Sequence, residues 1–220
     1  MADGRPGRSP AERAILAGVG VVLAIIIAIG ARDLVARRAP AIPTSQDPAL
    51  PLFDPVPPFA LTASDGAPVT NATFAGRVWI ADFIFTRCTG ACPLLSGRML
   101  ALQKALAGRD DVRLVSFSVD PDYDTPEVLA SYAKDHGADT SRWIFLTGAR
   151  ADLHELIGKG FHLAVAKAPE GTAAPGELVT HSDRLVVVDG KGRIRGYYRG
   201  SEEETVRRVL TDLDALAAGG

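Results

Sequence analysis

The fold is indicated first by residues 78–93, which read VWIADFIFTRCTGACP. Residues 78–85 form a largely apolar run typical of a central strand, and residues 93–107 carry apolar side chains at helical spacing. Between them lie the only two cysteines of the chain, Cys88 and Cys92, separated by three residues. The stretch therefore predicts a strand, a short loop with two thiols, and a helix.

Two thiols this close can hold a soft metal, form a disulfide, or switch between the two. Cys92 falls in the first turn of the predicted helix, where the helix dipole is expected to stabilise a thiolate and lower its pKa. The three residues between the cysteines form a wider loop than the usual two-residue redox motif, which favours a metal ion. A structural disulfide would close too short a loop to constrain much chain entropy. The spacing alone leaves both metal binding and disulfide formation open.

A further strong ligand has to be a histidine or a carboxylate, because the chain has no third cysteine. His181 is the best candidate, since it follows a Gly/Pro/Ala-rich loop at 166–176 and precedes a predicted core strand. Two thiolates with one imidazole suit Cu(I), whereas structural zinc normally has four ligands. Taken alone, His181 is equally typical of an ordinary loop histidine. We interpret His136 as a solvated helix end, His154 as a surface residue and His162 as a core candidate.

The N-terminal region contains eighteen consecutive uncharged residues, 14–31, which predict a transmembrane helix. As a helix they would extend about 27 Å, close to the ~30 Å hydrocarbon core of a bilayer. A cleaved signal peptide is the alternative, but its apolar core is typically only ~7–15 residues long. We expect an uncleaved anchor, with residues 1–13 as a cytoplasmic tail. The proline-rich residues 32–57 predict an extended linker.

The remaining residues, 58–220, are enough for one core domain. Strands alternate with amphipathic helices, which indicates an α/β sheet covered by helices. The predicted elements are an N-terminal hairpin around Asp65-Gly66, strands at 78–85, 112–119, 143–146, 185–188 and 193–198, and helices at 93–107, 125–135, 151–158 and 202–217. This order is thioredoxin-like, with a central mixed sheet flanked by helices. The formal charge of -2 argues against a nucleic-acid partner.

Several motifs follow one another along residues 58–217. They are FTxCxxxCP at 85–93, SVDP at 118–121, DTP at 124–126, Trp143 followed by LTG at 146–148, and His181-Ser182 before a strand ending at Asp189. Together with an N-terminal anchor, these motifs resemble the SCO/SenC copper-binding proteins, membrane-anchored thioredoxin-fold assembly factors for cytochrome c oxidase.

The resemblance implies that Cys88, Cys92 and His181 bind copper as Cu(I). Whether they also bind Cu(II) is left open. One departure is that Thr89-Gly90 stands where the family usually has Pro-Asp, which makes the loop more flexible and removes a negative charge. The aspartates of the second motif are not expected to be ligands. Asp120 is expected to end a strand, and Asp124 with the next residue is expected to cap a helix.

The function implied by the resemblance is a metallochaperone that delivers copper to the dinuclear copper centre of cytochrome c oxidase. The alternative is a thiol-disulfide oxidoreductase that reduces the copper-ligand cysteines of the oxidase subunit, with Cys88 and Cys92 as its redox disulfide and His181 dispensable. Peroxide reduction or redox signalling is a third, weaker alternative. Whether the chain is an enzyme is therefore left open.

The implied partners are the copper-centre subunit of the oxidase, a thiol reductant of the thioredoxin type and the lipid bilayer. The implied location is the inner (cytoplasmic) membrane, which the chain crosses once. Its folded domain is expected to face the periplasm or an equivalent extracytoplasmic space.

Overall fold

The computed structural model describes residues 50–163, 166–167, 179–180 and 182–218. They contain a seven-stranded mixed sheet flanked by helices, which confirms the predicted α/β architecture. Within these ranges, no helix is both long enough and apolar enough to cross a membrane. The predicted anchor at 14–31 and the predicted tail at 1–13 lie outside the described residues.

The strands and helices agree closely with the predicted elements. The strands are β1 Ala60–Ala63, β2 Pro68–Thr70, β3 Val78–Ile84, β4 Val112–Ser118, β5 Trp143–Thr147, β6 Ala166–Lys167, β7 Val179–Thr180, β8 Arg184–Val188 and β9 Ile194–Arg199. The helices are α1 Ala91–Ala105, α2 Pro126–Asp135, α3 Arg150–Glu155 and α4 Thr205–Ala218, with a π-helical turn at Leu156–Gly160. The π-helical turn and the small β6–β7 sheet are additions that the apolar patterns did not predict.

The large sheet has the strand order β2-β1-β5-β4-β3-β8-β9. Its three central strands, β3, β4 and β5, are parallel, whereas β8 is antiparallel to β3 and β1 is antiparallel to β5. The carboxyl ends of the three parallel strands consequently meet at one edge of the sheet. In open α/β sheets, this edge is where functional loops gather.

One face of the sheet is packed with aromatic rings. Phe83 of β3 lies 5.7 Å from Phe117 of β4 and 5.0 Å from Phe161, which follows the π-helical turn. Trp79 lies 6.0 Å from the same Phe161 ring. Each such pair contributes ~0.5–1.5 kcal/mol beyond its buried area. These contacts fix β3 and β4 at the centre of the domain.

The other face of the sheet is covered by α1 and α2. The buried side of α1 carries Cys92, Leu95, Ser96, Met99 and Leu102. The two helices are joined by a buried hydrogen bond of 2.7 Å between the hydroxyls of Ser96 and Tyr132. Cys92 is thus part of the layer that packs on β3.

Residues 50–57 pack against the domain, although the sequence assigned them to the linker. The Phe53 amide donates to the Ile194 carbonyl at 3.0 Å, and the Val56 amide donates to the Gly192 carbonyl at 2.8 Å. The side chain of Val56 is buried. This part of the predicted linker therefore belongs to the folded domain.

Candidate metal and redox site

The two cysteines lie where β3 passes into α1, at the carboxyl edge of the parallel strands. Gly90 is the N-cap of α1, so Cys92 is the second residue of the helix. Cys92 is fully buried, whereas Cys88 is partly exposed. The Cys92 amide donates to the Cys88 sulfur at 3.5 Å. The loop thus returns the Cys88 sulfur to the first turn of the helix.

The predicted lowering of the Cys92 pKa is wrong in direction. Burial raises the pKa of the Cys92 thiol, and the neighbouring Cys88 raises it further through a hydrogen bond and its charge. The prediction considered only the helix dipole, whose effect is typically below ~2 kcal/mol. Loss of hydration in the core outweighs that field.

A buried carboxylate holds the loop in front of Cys88. Asp124 accepts hydrogen bonds from the Thr86 hydroxyl at 2.6 Å, from the Thr86 amide at 3.2 Å and from the Ser118 hydroxyl at 2.6 Å. The expected helix cap is confirmed for Thr125, whose hydroxyl accepts from the Val128 amide, while Asp124 bonds to the two loops instead. Asp124 is therefore a link between the loop after β4 and the loop after β3.

A second aspartate of the loop after β4, Asp120, contacts Arg87, the residue that follows Thr86. Asp120 forms an ion pair with Arg87, which directly precedes Cys88, and lies 3.6 Å from Arg150. The Arg87 guanidinium also covers the Tyr123 ring at 4.1 Å. The two residues before Cys88 are thus both held by side chains from the loop after β4.

A third buried aspartate, Asp82, lies in the middle of β3. The Ser116 hydroxyl donates to its Oδ1, and Trp143 in turn donates from Nε1 to the Ser116 oxygen at 2.8 Å. Its other oxygen, Oδ2, is buried and has no hydrogen-bond partner among the described residues. Burial raises the pKa of Asp82 from its usual 3.8 to about 7.

The third candidate ligand, His181, lies outside the described residues. Within the described part of the chain, no group of three or more His, Cys, Asp or Glu side chains could hold a metal ion. His136 ends α2 as expected and stacks on Tyr132 at 3.9 Å. His154 lies 3.1 Å from the Val119 carbonyl and is partly buried. The interpretation of His162 as core is wrong, because its side chain is 54% exposed.

Sequence reasoning missed the roles of Asp82 and Asp124. Asp82 could have been noticed, because a charged residue interrupts an otherwise apolar central strand. Asp124 gave no such signal, since Asp before Thr-Pro is also typical of a helix start. Its contact with Thr86 joins residues 38 positions apart and becomes visible only in the folded chain.

The fold and the loop with two cysteines define a thioredoxin-like protein with a cysteine pair at the end of a central strand. The SCO1/SenC family model matches residues 51–218. The SCO1 protein homolog of Bacillus subtilis is 36% identical over 169 residues, which cover 76% of this chain and 85% of that protein. The chain belongs to the SCO1/SenC family.

Two solved structures are similar to the described domain. BsSco, described as a member of the Sco family of cytochrome c oxidase assembly proteins with a disulfide switch, is 33% identical with a TM-score of 0.67. The match covers 80% of this chain and 98% of that one. Arabidopsis thaliana ScoI with copper bound has a TM-score of 0.64 at 22% identity, over 76% of this chain and 100% of that one, and shows the fold alone.

The Asp124 link predicts a specific loss of stability. In Asp124→Ala, the buried Ser118 hydroxyl and the Thr86 donors lose their acceptor, and each unsatisfied group costs ~1–3 kcal/mol. We expect urea unfolding to show a loss of about 2–4 kcal/mol. The control is Asp122→Ala, whose carboxylate is 67% exposed and pairs with Arg150, and which should cost below ~1 kcal/mol. Equal losses in the two variants would contradict the link.

The raised pKa of Asp82 predicts how the free energy of unfolding depends on pH. Its pKa is raised in the folded state, so folding favours the protonated form, and this contribution is complete below pH 3.8 and lost as the pH rises to about 7. Asp82→Asn should remove this loss, so that its stability relative to the parent increases by up to about 4 kcal/mol between pH 4 and pH 8. Chemical unfolding at several pH values measures the difference. Parallel stability curves for parent and variant would show that Asp82 titrates normally.

Proposed function

We propose that the chain is a membrane-anchored copper chaperone that binds copper through Cys88, Cys92 and His181. It delivers the ion to the dinuclear copper centre of cytochrome c oxidase during assembly. The observation that carries the proposal is the contact of the Cys92 amide with the Cys88 sulfur at the carboxyl edge of the sheet, in a SCO1/SenC protein. Thiolate sulfur prefers soft ions such as Cu(I). The fold itself is compatible with copper, since Arabidopsis thaliana ScoI has been solved with the metal bound.

The environments of the two sulfurs suit a carrier that must also release its ion. Cys92 is fully buried in the helix layer and is held on a rigid element. Cys88 is partly exposed, and the two residues after it, Thr89 and Gly90, are exposed. A thiol of a partner protein could therefore approach the ion from the Cys88 side, which ligand exchange requires.

The strand register supports His181 as the third ligand. β8 runs antiparallel to β3, with Trp79 opposite Val188 and Ala81 opposite Val186. Continuing this register brings the first residue of β8, Arg184, to the end of β3 from which the cysteine loop leaves. His181 precedes Arg184 by three residues in the sequence. An imidazole would complete the three-ligand set that Cu(I) accepts.

The remaining features of the proposal come from the sequence and the family. Residues 14–31 anchor the chain in the inner membrane as a single span, and the linker carries the folded domain on the extracytoplasmic side. The copper-centre subunit of the oxidase receives the ion. A thiol reductant of the thioredoxin type keeps Cys88 and Cys92 reduced, because an oxidised pair cannot bind Cu(I).

A second candidate function is thiol-disulfide exchange with the oxidase subunit. The observation in its favour is the contact between the Cys92 amide and the Cys88 sulfur, which holds the two cysteines within one helical turn. The relative BsSco, described as having a disulfide switch, supports the same use of the pair. In this function, His181 is not needed.

Copper titration of the reduced full-length chain in detergent tests the first function. With bicinchoninate as the competing chelator, we expect one Cu(I) per chain. Cys88→Ser, Cys92→Ser and His181→Ala should each weaken binding at least about 100-fold, or about 3 kcal/mol. His162→Ala, which removes an exposed histidine of the same domain, is the matched control and should bind like the parent.

The outcome also separates the two functions. If His181→Ala binds Cu(I) as tightly as His162→Ala, the three-ligand site is wrong. Disulfide reduction that depends on both cysteines but not on His181 would then favour the exchange function.

A further inference from the structure

Arg87 and Tyr123 form an exposed pair beside Cys88, and copper binding as proposed uses neither of them. Arg87 directly precedes Cys88 in the sequence, and its guanidinium lies over the Tyr123 ring at 4.1 Å from the ring centroid. The Arg87 side chain is 38% exposed, and Tyr123 is 45% exposed. A large aromatic ring left in solvent next to an accessible cysteine suggests a surface that another molecule covers.

The pair is held in place by one residue of the loop after β4. The Arg87 guanidinium donates to the Asp120 carboxylate, which is only 8% exposed. The Tyr123 amide donates to the Asp120 carbonyl at 3.0 Å. Side chains that are already ordered lose less entropy when a partner binds. Fixed Arg and Tyr side chains are also the types that dominate the binding energy of protein interfaces.

The outer side of the Arg87 guanidinium is suited to a carboxylate. A guanidinium has five N–H donors in a planar fork, and the acceptor that the described residues give to Arg87 is Asp120. Two other charges lie in the same cluster, but Arg150 and Asp122 pair with each other. Arg87 is therefore the charged side chain that borders Cys88, and its exposed donors match the two oxygens of a carboxylate.

The charge of the cysteine loop supports the same partner chemistry. The loop between β3 and α1, residues 85–90, carries a single charge, which is that of Arg87. Gly90 stands where the family usually has an aspartate, so the loop has no carboxylate of its own to repel an acidic partner. Charge complementarity of this kind steers association and selects among partners.

We propose that Arg87 and Tyr123 form the docking surface for the protein that takes copper from Cys88, and that they select an acidic segment with a carboxylate close to its thiol. The proposal rests on the copper chaperone function proposed above and adds the chemistry of the recipient to it. The carboxylate of the recipient pairs with Arg87, and the segment covers the Tyr123 ring. The thiol of the recipient then reaches the ion from the Cys88 side.

The transfer is a ligand exchange in which no electron moves. A bond forms between Cu(I) and the thiolate of the recipient, and the bond between Cu(I) and the Cys88 sulfur breaks. The thiol of the recipient gives its proton to solvent, and the released Cys88 thiolate takes one up. Docking changes how fast the two sulfurs meet, because it holds the incoming thiol next to the ion.

Transfer from the Cu(I)-loaded full-length chain in detergent to three synthetic peptides tests the proposal. The peptides share one pair of cysteines and differ in the flanking residues, which are glutamate, glutamine or lysine. Rapid mixing, separation and copper analysis give the transfer rates. At low ionic strength, the glutamate peptide should receive Cu(I) at least about 10-fold faster than the lysine peptide. About 0.5 M salt should bring this ratio close to one.

Variants of the loop test which residue sets the preference. The rate ratio between two peptides is compared within one variant, so a change in copper affinity cancels. Arg87→Gln should bring the ratio close to one. Gly90→Asp, whose added side chain meets open space, should lower the ratio below that of the parent. The matched control is Arg150→Gln, which also removes a guanidinium close to Asp120 and should keep a ratio within about 2-fold of the parent.

Variants of Tyr123 test the contact surface. Tyr123→Ala should slow transfer to all three peptides at least about 3-fold, whereas Tyr123→Phe keeps the ring and should transfer like the parent. Equal rates to the three peptides in the parent, or an unchanged ratio in Arg87→Gln, would overturn the docking proposal and leave the chaperone function standing. A parent that binds no Cu(I) in the bicinchoninate titration would overturn the chaperone function, and the docking proposal with it.

Discussion

The hydrogen bonds of Asp124 are the interaction on which the geometry of the site depends. A single buried carboxylate ties the loop after β4 to the residue two positions before Cys88. Without this link, the loop between β3 and α1 would be held across the fold only by the contacts of Arg87 with Asp120 and Tyr123. Because the link is made inside the core, the position of Cys88 is coupled to the packing of β4 and α2. The site is thereby fixed by the fold, even though Cys88 itself lies in a partly exposed loop.

The two cysteines differ in their environments, and this difference organises the proposed chemistry. Cys88 has contact with solvent and is followed by exposed residues, so a partner can reach it. Cys92 is enclosed by the helix layer. Copper transfer and disulfide exchange both need a sulfur that a partner can reach. The same cysteine pair can therefore serve either function. The two functions differ in whether His181 is needed.

Much of the fold could be predicted from the sequence, because periodicity and turn residues are local signals. β3, α1 and the β8–β9 hairpin were predicted to within a few residues. Interactions across the fold were not predictable in this way. The raised pKa of Cys92 follows from burial under neighbouring elements, and the packing of residues 50–57 follows from hydrogen bonds to β9 and the turn before it. The resemblance to the family supplied the metal ligands, which the spacing of the cysteines alone left open.

We propose that one copper ion is held by Cys88, Cys92 and His181. X-ray absorption spectroscopy at the copper edge of the Cu(I)-loaded full-length chain identifies the ligands. We expect two sulfur ligands and one imidazole nitrogen, with the nitrogen contribution lost in His181→Ala. A spectrum with two sulfurs and no nitrogen, or one unchanged by His181→Ala, would rule out the three-ligand site.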